Sequence, residues 1–463
     1  MLSLLGFLTI IVFLVLIILK KLSVVTALVI VPIVFGLLAG FSVSELSVMM
    51  FDGIKQVAPT GILLMFAVLY FGTMLDTGLF DPMITRIIRY AKGDPLKVVM
   101  GTAILTMMVH LDGDGTATFM IVISAFLPVY RQLKINKLLL PCIVALGVGP
   151  MHLVPWSGTS ARAMATLHTD AAHIFTPNIF AIASGVIWVL FVAYWLGKKE
   201  RKRLPVVQFD YDHKTSLTEE QKLHRRPKLF WFNAVITISL IVILMNGWIP
   251  AVVLFVIASV LALLVNYPHL ATQQKVLKSH GTNIFLVSGM IFAAGIFSGI
   301  LTGSGMIGAM AHSLVSLIPE HHAKLLPTLT AITSMPSSML FTPDAYYFGV
   351  VPVLSQAAQH YAIDPLEIGR AALLGQMTVG FPLSPLTAST FLLVGLSEVE
   401  LGDHQKFTFK WAYGTTIVMT IIALITQSIE ICKRKSGSVV VQDFPGIDWS
   451  RRSFLQKKGN WII

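Results

Sequence analysis

Two short segments of this chain combine helix-breaking residues with hydroxyl groups in the same order. Residues 155–161 and 382–388 both read Pro-x-Ser-x-x-(Ser/Thr)-Ala, and each interrupts an apolar stretch. Such breaks leave backbone polar groups unpaired, which a membrane tolerates only where the broken segment lines a protein-enclosed, wet site. Paired breaks at corresponding positions of two halves indicate the substrate site of a transporter. The pattern therefore predicts two broken transmembrane helices around one polar site.

The repeat extends beyond these two motifs. Residues 71–75 (Phe-Gly-Thr-Met-Leu) have a counterpart in residues 297–301 (Phe-Ser-Gly-Ile-Leu). The offset is 226 residues (297 − 71) for this pair and 227 residues (384 − 157) for the motifs. Because two separated segments share one offset, the sequence predicts two related halves.

The first break carries groups suited to an anionic substrate. Its hydroxyls precede a half-helix whose N-terminus favours anions. Arg162 can bind a carboxylate bidentately and keeps its charge, and the corresponding position of the second half (389 − 162 = 227) holds Ser389. An internal ion pair of Arg162 with Asp112 or Asp114 remains an open alternative. The predicted substrate-binding residues are Ser157, Gly158, Thr159, Ser160, Arg162, Ser337, Ser338, Ser384, Thr387 and Ser389. Each hydroxyl alone could instead bond the carbonyl of its preceding helical turn.

A second polar string, residues 110–116 (His-Leu-Asp-Gly-Asp-Gly-Thr), lies between two apolar stretches. A carboxylate at bilayer depth costs about 2.5–3.5 kcal/mol on insertion scales, so Asp112 and Asp114 need a function or a wet location. The string resembles half of an EF-hand loop, but Ile123 stands where the closing bidentate Glu belongs. An ordinary solvated loop is the alternative. We favour coupling of a proton or a hard cation by Asp112, Asp114 and Thr116, with both aspartates as metal ligands if the protein binds the metal directly.

Composition defines the environment of these residues. The chain has 463 residues, of which 55% are hydrophobic and 12% charged, whereas about a quarter are charged in soluble domains. Apolar runs approaching the ~20 residues needed to span a bilayer recur along its length. The first run leads into Lys20 and Lys21 without a cleavage pattern, so we expect a retained helix. These features predict an all-α polytopic membrane protein.

The net charge of +11 reflects membrane topology. Basic clusters at 198–203 and 224–228 bracket one polar loop, which the positive-inside rule assigns to the cytoplasm. Nucleic-acid binding is the weaker interpretation, because basic clusters beside a span usually set orientation. The two cysteines, Cys142 and Cys432, do not suggest a disulfide framework.

Counting spans from this loop gives an inverted repeat with two re-entrant hairpins and two broken transmembrane helices. The basic tail falls outside by this count, against the charge rule, so its side stays open. The predicted segments are an N-terminal half 1–197 with a hairpin at about 102–129 and a broken helix at about 138–168, a cytoplasmic loop 198–228, a C-terminal half 229–432 with a hairpin at about 325–358 and a broken helix at about 366–395, and a polar basic tail 433–463.

Four motifs resemble those of the citrate–metal–proton symporter family, CitMHS, of the ion-transporter superfamily. They are residues 70–82, 92–97, 111–116 and 155–162, and the resemblance extends to about Gln427. It implies uptake of citrate as a complex with a divalent cation of the Mg or Ca type, in symport with protons. Its structural relatives imply elevator-type movement. No permanently bound cofactor is implied.

The leading hypothesis is therefore a secondary active transporter in the plasma membrane, surrounded by lipid and forming a homodimer. A metal-free carboxylate or gluconate-type permease is the alternative, and an ion channel is a further one. An enzyme is not expected, because the sequence has no nucleophile–base pair and no metal-ligand spacing. The preferred metal, the exact carboxylate and the number of protons stay open.

Overall fold

Backbone polar groups in lipid have no water to bond, so the chain satisfies them within helices. The computed structural model describes residues 1–19, 21–204, 224–246, 248–315 and 323–429, and these ranges contain helices and no strand. The α-helices are α1 Leu2–Ile18, α2 Val24–Leu38, α3 Val43–Thr77, α4 Asp81–Ala91, α5 Pro95–Val109, α6 Gly115–Gln132, α7 Leu139–Met151, α8 Gly158–Leu167, α9 Ala171–Arg203, α10 Phe230–Asn246, α11 Ala251–Asn266, α12 Leu270–Gly303, α13 Met306–Val315, α14 Leu326–Ser337, α15 Val351–His360, α16 Pro365–Leu373, α17 Ala388–Ser397 and α18 Leu401–Ile425.

The all-α, polytopic prediction is confirmed. Six helices within the described ranges are long and apolar enough to cross a membrane: Val43–Thr77, Pro95–Asp112, Ala171–Arg203, Pro227–Leu244, Leu270–Gly303 and Leu401–Ile425. Helices α10 to α18 also repeat the order of α1 to α9, and α12 begins 227 residues (270 − 43) after α3. The inverted relation of the two halves to the membrane stays a prediction, as does the dimer.

The four segments predicted as hairpins or broken helices each contain two helical pieces. The pairs are α5 with α6, α7 with α8, α14 with a π-helical turn (Ala345–Val350) that continues into α15, and α16 with α17. The first hairpin is longer than the predicted 102–129. Helix α5 begins at Pro95, because the Asp94 carboxylate accepts a hydrogen bond from the Leu96 amide at 3.0 Å and caps the helix there.

The second predicted hairpin, at about 325–358, turns after Ser337. Helix α14 continues through Pro336 to Ser337, and the chain reverses over residues 338–344. In this last turn the Ser337 hydroxyl donates a hydrogen bond to the Thr333 carbonyl oxygen at 2.7 Å. The predicted tail 433–463 and most of the loop 198–228 lie outside the described residues.

Apart from α4 and α13, the described α-helices form two groups. Helices α2 and α11 pack against the long pair α3 and α12, with α1 on α2 and α10 on α11; we call these six the frame. Helices α5 to α9 and α14 to α18 pack mainly on one another; we call them the core bundle. Helix α8, which follows the first break, contacts both α3 and α12. The first break therefore lies where the core bundle meets the frame.

The frame is closed by a glycine contact between α3 and α12. A Cβ atom on Gly53 would lie 2.0 Å from the Gly295 carbonyl oxygen, and a Cβ atom on Gly299 would lie 2.3 Å from the Met49 carbonyl oxygen. Gly295, Gly299 and Gly303 are spaced at every fourth position, as in membrane helices that pack backbone against backbone. Only glycine allows the two helices to approach this closely.

We expect Gly53→Ala to lower the melting temperature of the purified protein. The added methyl group forces α3 and α12 apart, an overpacking effect of about 1–3 kcal/mol. Gly289→Ala on α12 is the matched control, because a Cβ atom there meets nothing within 4 Å. The control should be neutral or stabilising by roughly 0.5–1 kcal/mol, since alanine favours helix over glycine. Equal melting temperatures for the two variants would contradict the contact.

Candidate functional site

The interrupted segments carry several buried polar residues where their helical pieces meet. We call them the polar zone, which consists of residues 110–116, 152–162, 338–344 and 374–389.

The first hairpin tip lies against the first break. A short 3-10 turn, His110–Asp112, ends at Gly113, whose φ of 77° is left-handed. A Cβ atom on Gly113 would lie 3.2 Å from the Cα atom of Ser157. The Trp156 indole donates a hydrogen bond to the Leu111 carbonyl oxygen at 2.7 Å. Gly113 therefore meets two demands at once, a positive φ and close backbone approach.

The two aspartates of the tip have different environments. Asp114 is exposed, and its Oδ1 accepts a hydrogen bond from the Thr116 amide at 2.8 Å, which caps α6. Asp112 is only 7% exposed, and its Oδ1 accepts a hydrogen bond from the Asp114 amide at 2.9 Å. The second oxygen of Asp112 is buried without a hydrogen-bond partner. An orphaned buried carboxylate oxygen is costly, so it indicates a position for a proton or a cation.

Hydroxyl groups hold the first break in shape. Ser157 caps α8, since its Oγ accepts a hydrogen bond from the Ser160 amide at 3.2 Å. The same hydroxyl donates to the His152 carbonyl oxygen at 2.6 Å, and the Ser160 hydroxyl donates to the Leu153 carbonyl oxygen at 3.2 Å. These predicted substrate ligands are thus engaged with the backbone that the break leaves unpaired.

Arg162 forms an ion pair between the two halves. Its Nε donates to the Asp344 carboxylate at 2.7 Å, and one terminal nitrogen donates to the Gly158 carbonyl oxygen at 2.9 Å. The side chains are 11% and 7% exposed, so the pair is nearly buried. The partner of Arg162 is therefore Asp344, and the sequence-based alternative of Asp112 or Asp114 is not what the structure contains.

Ser338 organises the second break. Its hydroxyl donates to the Gln376 amide oxygen at 3.1 Å and accepts a hydrogen bond from the Met377 amide at 2.9 Å. The Ser384 hydroxyl donates to the Ser338 carbonyl oxygen at 2.6 Å. The Gln376 Nε2 atom is buried without a partner. Gln376, which no sequence pattern indicated, thus adds an unused donor to the polar zone.

The remaining predicted residues either join the two halves or bond locally. The Thr159 hydroxyl donates to the Met377 carbonyl oxygen at 3.2 Å, and the Thr116 and Ser389 hydroxyls lie 3.2 Å apart. Thr387 bonds the Phe381 carbonyl oxygen at 3.3 Å within its own segment. Ser389, the counterpart of Arg162, therefore contacts the first hairpin tip.

Sequence reasoning did not identify the buried pair of histidines His110 and His152. His110 Nε2 lies 2.8 Å from His152 Nδ1, and His110 Nδ1 lies 2.9 Å from the Thr118 hydroxyl. That hydroxyl donates to the Asp114 carbonyl oxygen, so it accepts from His110 Nδ1–H. A neutral His110 then accepts a hydrogen bond from His152 Nδ1–H. The signal available was a histidine in the same string as the two aspartates.

A polar zone of interrupted helices, enclosed by helices of membrane-spanning length, defines a membrane transporter. The chain belongs to the CitMHS family, whose model, described as citrate transporter, matches residues 11–375. It is therefore an integral membrane transporter and not an enzyme.

Relatives from Bacillus subtilis (strain 168) agree with this family. One, named "Citrate transporter", is 53% identical over 425 residues, covering 92% of this chain and 99% of the relative. Another, named "Mg(2+)/citrate complex secondary transporter", is 50% identical over 435 residues, covering 93% and 100%. Among solved structures, the YdaH transporter of Alcanivorax borkumensis aligns with a TM-score of 0.58 at 14% identity, covering 81% of this chain and 86% of that one. This last likeness concerns the fold.

Proposed function

We propose that the chain takes up citrate as a complex with a divalent cation, in symport with protons. The observation that carries this proposal is the net charge of the polar zone. The zone contains one cationic side chain, Arg162, and three acidic side chains, Asp112, Asp114 and Asp344. Fully ionised, these groups sum to −2 (1 − 3). A free citrate trianion is repelled by such a site, whereas a divalent cation cancels two of its three charges. Protons on the carboxylates reduce the repulsion further.

The composition of the site also fits a metal carried by the substrate. Within the described ranges, no three His, Cys, Asp or Glu side chains are grouped so that they could hold a metal ion. Citrate itself then supplies most of the oxygen ligands that Mg²⁺ and Ca²⁺ prefer. The relative named as a Mg(2+)/citrate complex transporter supports this assignment.

Arg162 is the proposed partner for a citrate carboxylate. Two of its three guanidinium nitrogens bond Asp344 and Gly158, whereas the third contacts the Met290 sulfur at 3.3 Å. Sulfur is a weak acceptor, so a carboxylate oxygen can replace it at little cost. In the proposal, Asp344 keeps the guanidinium fixed and the third nitrogen donates to the substrate.

Asp112 is the proposed proton carrier. Its unpartnered oxygen can accept a proton without breaking any existing hydrogen bond. The His110–His152 pair is a second candidate, because ionisable groups inside membrane proteins commonly form proton relays. Substitutions of Asp112 and of His110 distinguish these two candidates for the proton carrier.

The packing is compatible with elevator-type movement of the core bundle against the frame. Side-chain bonds join the halves of the core bundle, including the Arg162–Asp344 pair. Across the boundary between α8 and α12 the polar contacts are weak, namely Arg162 to the Met290 sulfur and His168 to Ser298 at 3.5 Å. A boundary with few strong hydrogen bonds costs little to slide.

A cavity of about 680 Å³ lies at this boundary. It is lined by Gln56 and Thr60 of the frame and by Pro155 and Met164 of the core bundle. It also includes residues 169–173, which the positive-inside rule assigns to the external side. In the proposal this cavity is the approach from outside to the first break. The plasma membrane, the cytoplasmic side of the loop 198–228 and a homodimer belong to the same proposal.

Divalent-metal dependence tests the substrate. Uptake of labelled citrate into proteoliposomes with an inward proton gradient should require Mg²⁺ or Ca²⁺, with EDTA as the control condition. Uptake indifferent to the metal would favour the metal-free carboxylate or gluconate-type permease. Flux that neither saturates nor shows countertransport would instead indicate a channel.

A further inference from the structure

A second cavity, of about 930 Å³, lies away from the polar zone. It is formed by the end of α3, by α4 and by the segment that leads into α10. Its lining contains five cationic side chains and one acidic side chain, Asp81. A cavity with such an excess of positive charge is suited to an anion.

Two of the five cations build the floor of the cavity. Arg225 Nε lies 2.8 Å from the Asp81 carboxylate, and Arg225 also donates to the Asp76 carbonyl oxygen at 3.1 Å. Arg226 Nε donates to the Asn266 carbonyl oxygen at 2.9 Å. These arginines tie the entry of α10 to the ends of α3 and α11, so they are engaged with the protein itself.

The other three cationic side chains line one side of the cavity and have no partner among the described residues. Arg86, Arg89 and Lys92, on α4 and at its end, are exposed, and within the described residues they form no hydrogen bond or ion pair. The corresponding helix of the second half, α13, carries no lysine or arginine. Of these two corresponding helices, α4 therefore carries the unpaired positive charge, and it lies on the side that the positive-inside rule assigns to the cytoplasm.

Aromatic residues place this cavity at the level of the membrane interface. Tyr90, on the α4 wall, is 69% exposed, and Trp231, next to the lining residue Phe230, is 77% exposed. Exposed tyrosine and tryptophan mark the depth of lipid headgroups. Basic pockets between helices at this depth bind phospholipid headgroups.

We infer that this cavity binds the headgroup of an anionic glycerophospholipid of the cytoplasmic leaflet. Arg86, Arg89 and Lys92 donate to the phosphodiester and the glycerol backbone lies toward Phe230, which leaves the acyl chains in the surrounding lipid. Free phosphate or citrate presents similar oxygens but has no chains for the membrane-facing side. The bound lipid would link α4 to the entry of α10, and this inference does not depend on the transported substrate.

The test is lipid binding to the purified full-length protein in neutral detergent. Short-chain phosphatidylglycerol should raise its melting temperature, whereas short-chain phosphatidylcholine should not. Combining Arg86→Gln, Arg89→Gln and Lys92→Gln should remove the shift, with binding weakened about fivefold for each basic residue lost. Single substitutions keep the test available if the triple variant does not insert.

The matched control combines Lys198→Gln, Lys199→Gln and Lys202→Gln, which removes the same charge from the end of α9, outside the cavity. It should keep the phosphatidylglycerol shift. Equal loss in both triple variants would overturn the inference in favour of general charge attraction. An equal shift with inorganic phosphate or citrate would overturn it in favour of a free-anion site.

Discussion

Arg162→Ala is expected to abolish citrate uptake and to destabilise the protein. The substitution leaves Asp344, 7% exposed, without its counter-charge. Breaking a buried pair by removing one partner costs about 3–5 kcal/mol. The melting temperature in detergent and the initial rate of citrate uptake measure the two effects.

A second substitution separates stability from substrate binding. Arg162→Ala combined with Asp344→Asn has no buried unpaired charge, so its melting temperature should recover. Uptake should stay absent, because the carboxylate of citrate still lacks its guanidinium. Ser389→Ala is the control at the corresponding position of the second half, and a lost hydroxyl costs only about 0.5–1.5 kcal/mol. Normal citrate affinity in the double variant would contradict the substrate-binding role of Arg162 and leave it only the ion pair with Asp344.

Asp112→Asn is expected to abolish proton-driven accumulation of citrate while sparing exchange of citrate across the membrane. An amide has nearly the shape of the carboxylate but cannot take up and release the proton. Accumulation against a gradient, measured with an imposed pH difference, should vanish. Exchange of labelled for unlabelled citrate, which needs no net proton movement, should continue. Loss of both activities together with loss of metal dependence would make Asp112 a metal ligand instead.

Asp114→Asn is the matched control for this prediction. Asp114 caps α6 through its Oδ1, and asparagine caps a helix about as well as aspartate. Normal accumulation in Asp114→Asn beside its loss in Asp112→Asn would identify the buried carboxylate as the coupling group. If Asp112→Asn accumulates citrate normally and His110→Gln does not, the histidine pair is the proton carrier.

The positions of the breaks could be predicted from the sequence because their signal is local. Each break contains a proline, which disfavours continuation of a helix, and a serine two residues later, before the next helix begins. Both residues act on the backbone within a few positions of themselves. The aspartate string was recognisable for the same reason. Helix α3 starts at a capping box formed by Ser42 and Glu45, which is also a local signal. The polar first turns of α3, however, lack the apolar run that predicts a membrane span.

The partners of the site residues could not be predicted, because they are distant in sequence. Asp344 lies 182 residues from Arg162. Which residues of the two halves form an ion pair depends on how the helices pack, and no local sequence pattern specifies that packing. The same holds for Gln376, whose free amide depends on Ser338 from another helix. The hydroxyl pattern predicted a polar zone but could not distinguish hydroxyls that bond the backbone from groups that remain free.

The glycine contact of the frame has a consequence for biosynthesis. Gly53 and Gly295 are separated by about 240 residues, which a ribosome needs on the order of 10–50 s to add at about 5–20 residues per second. Throughout that time the nascent α3 is in the membrane with its partner surface uncovered. We therefore expect the first half to stay open to membrane proteases until α12 leaves the translocon, so that the chain commits to its final fold late in translation.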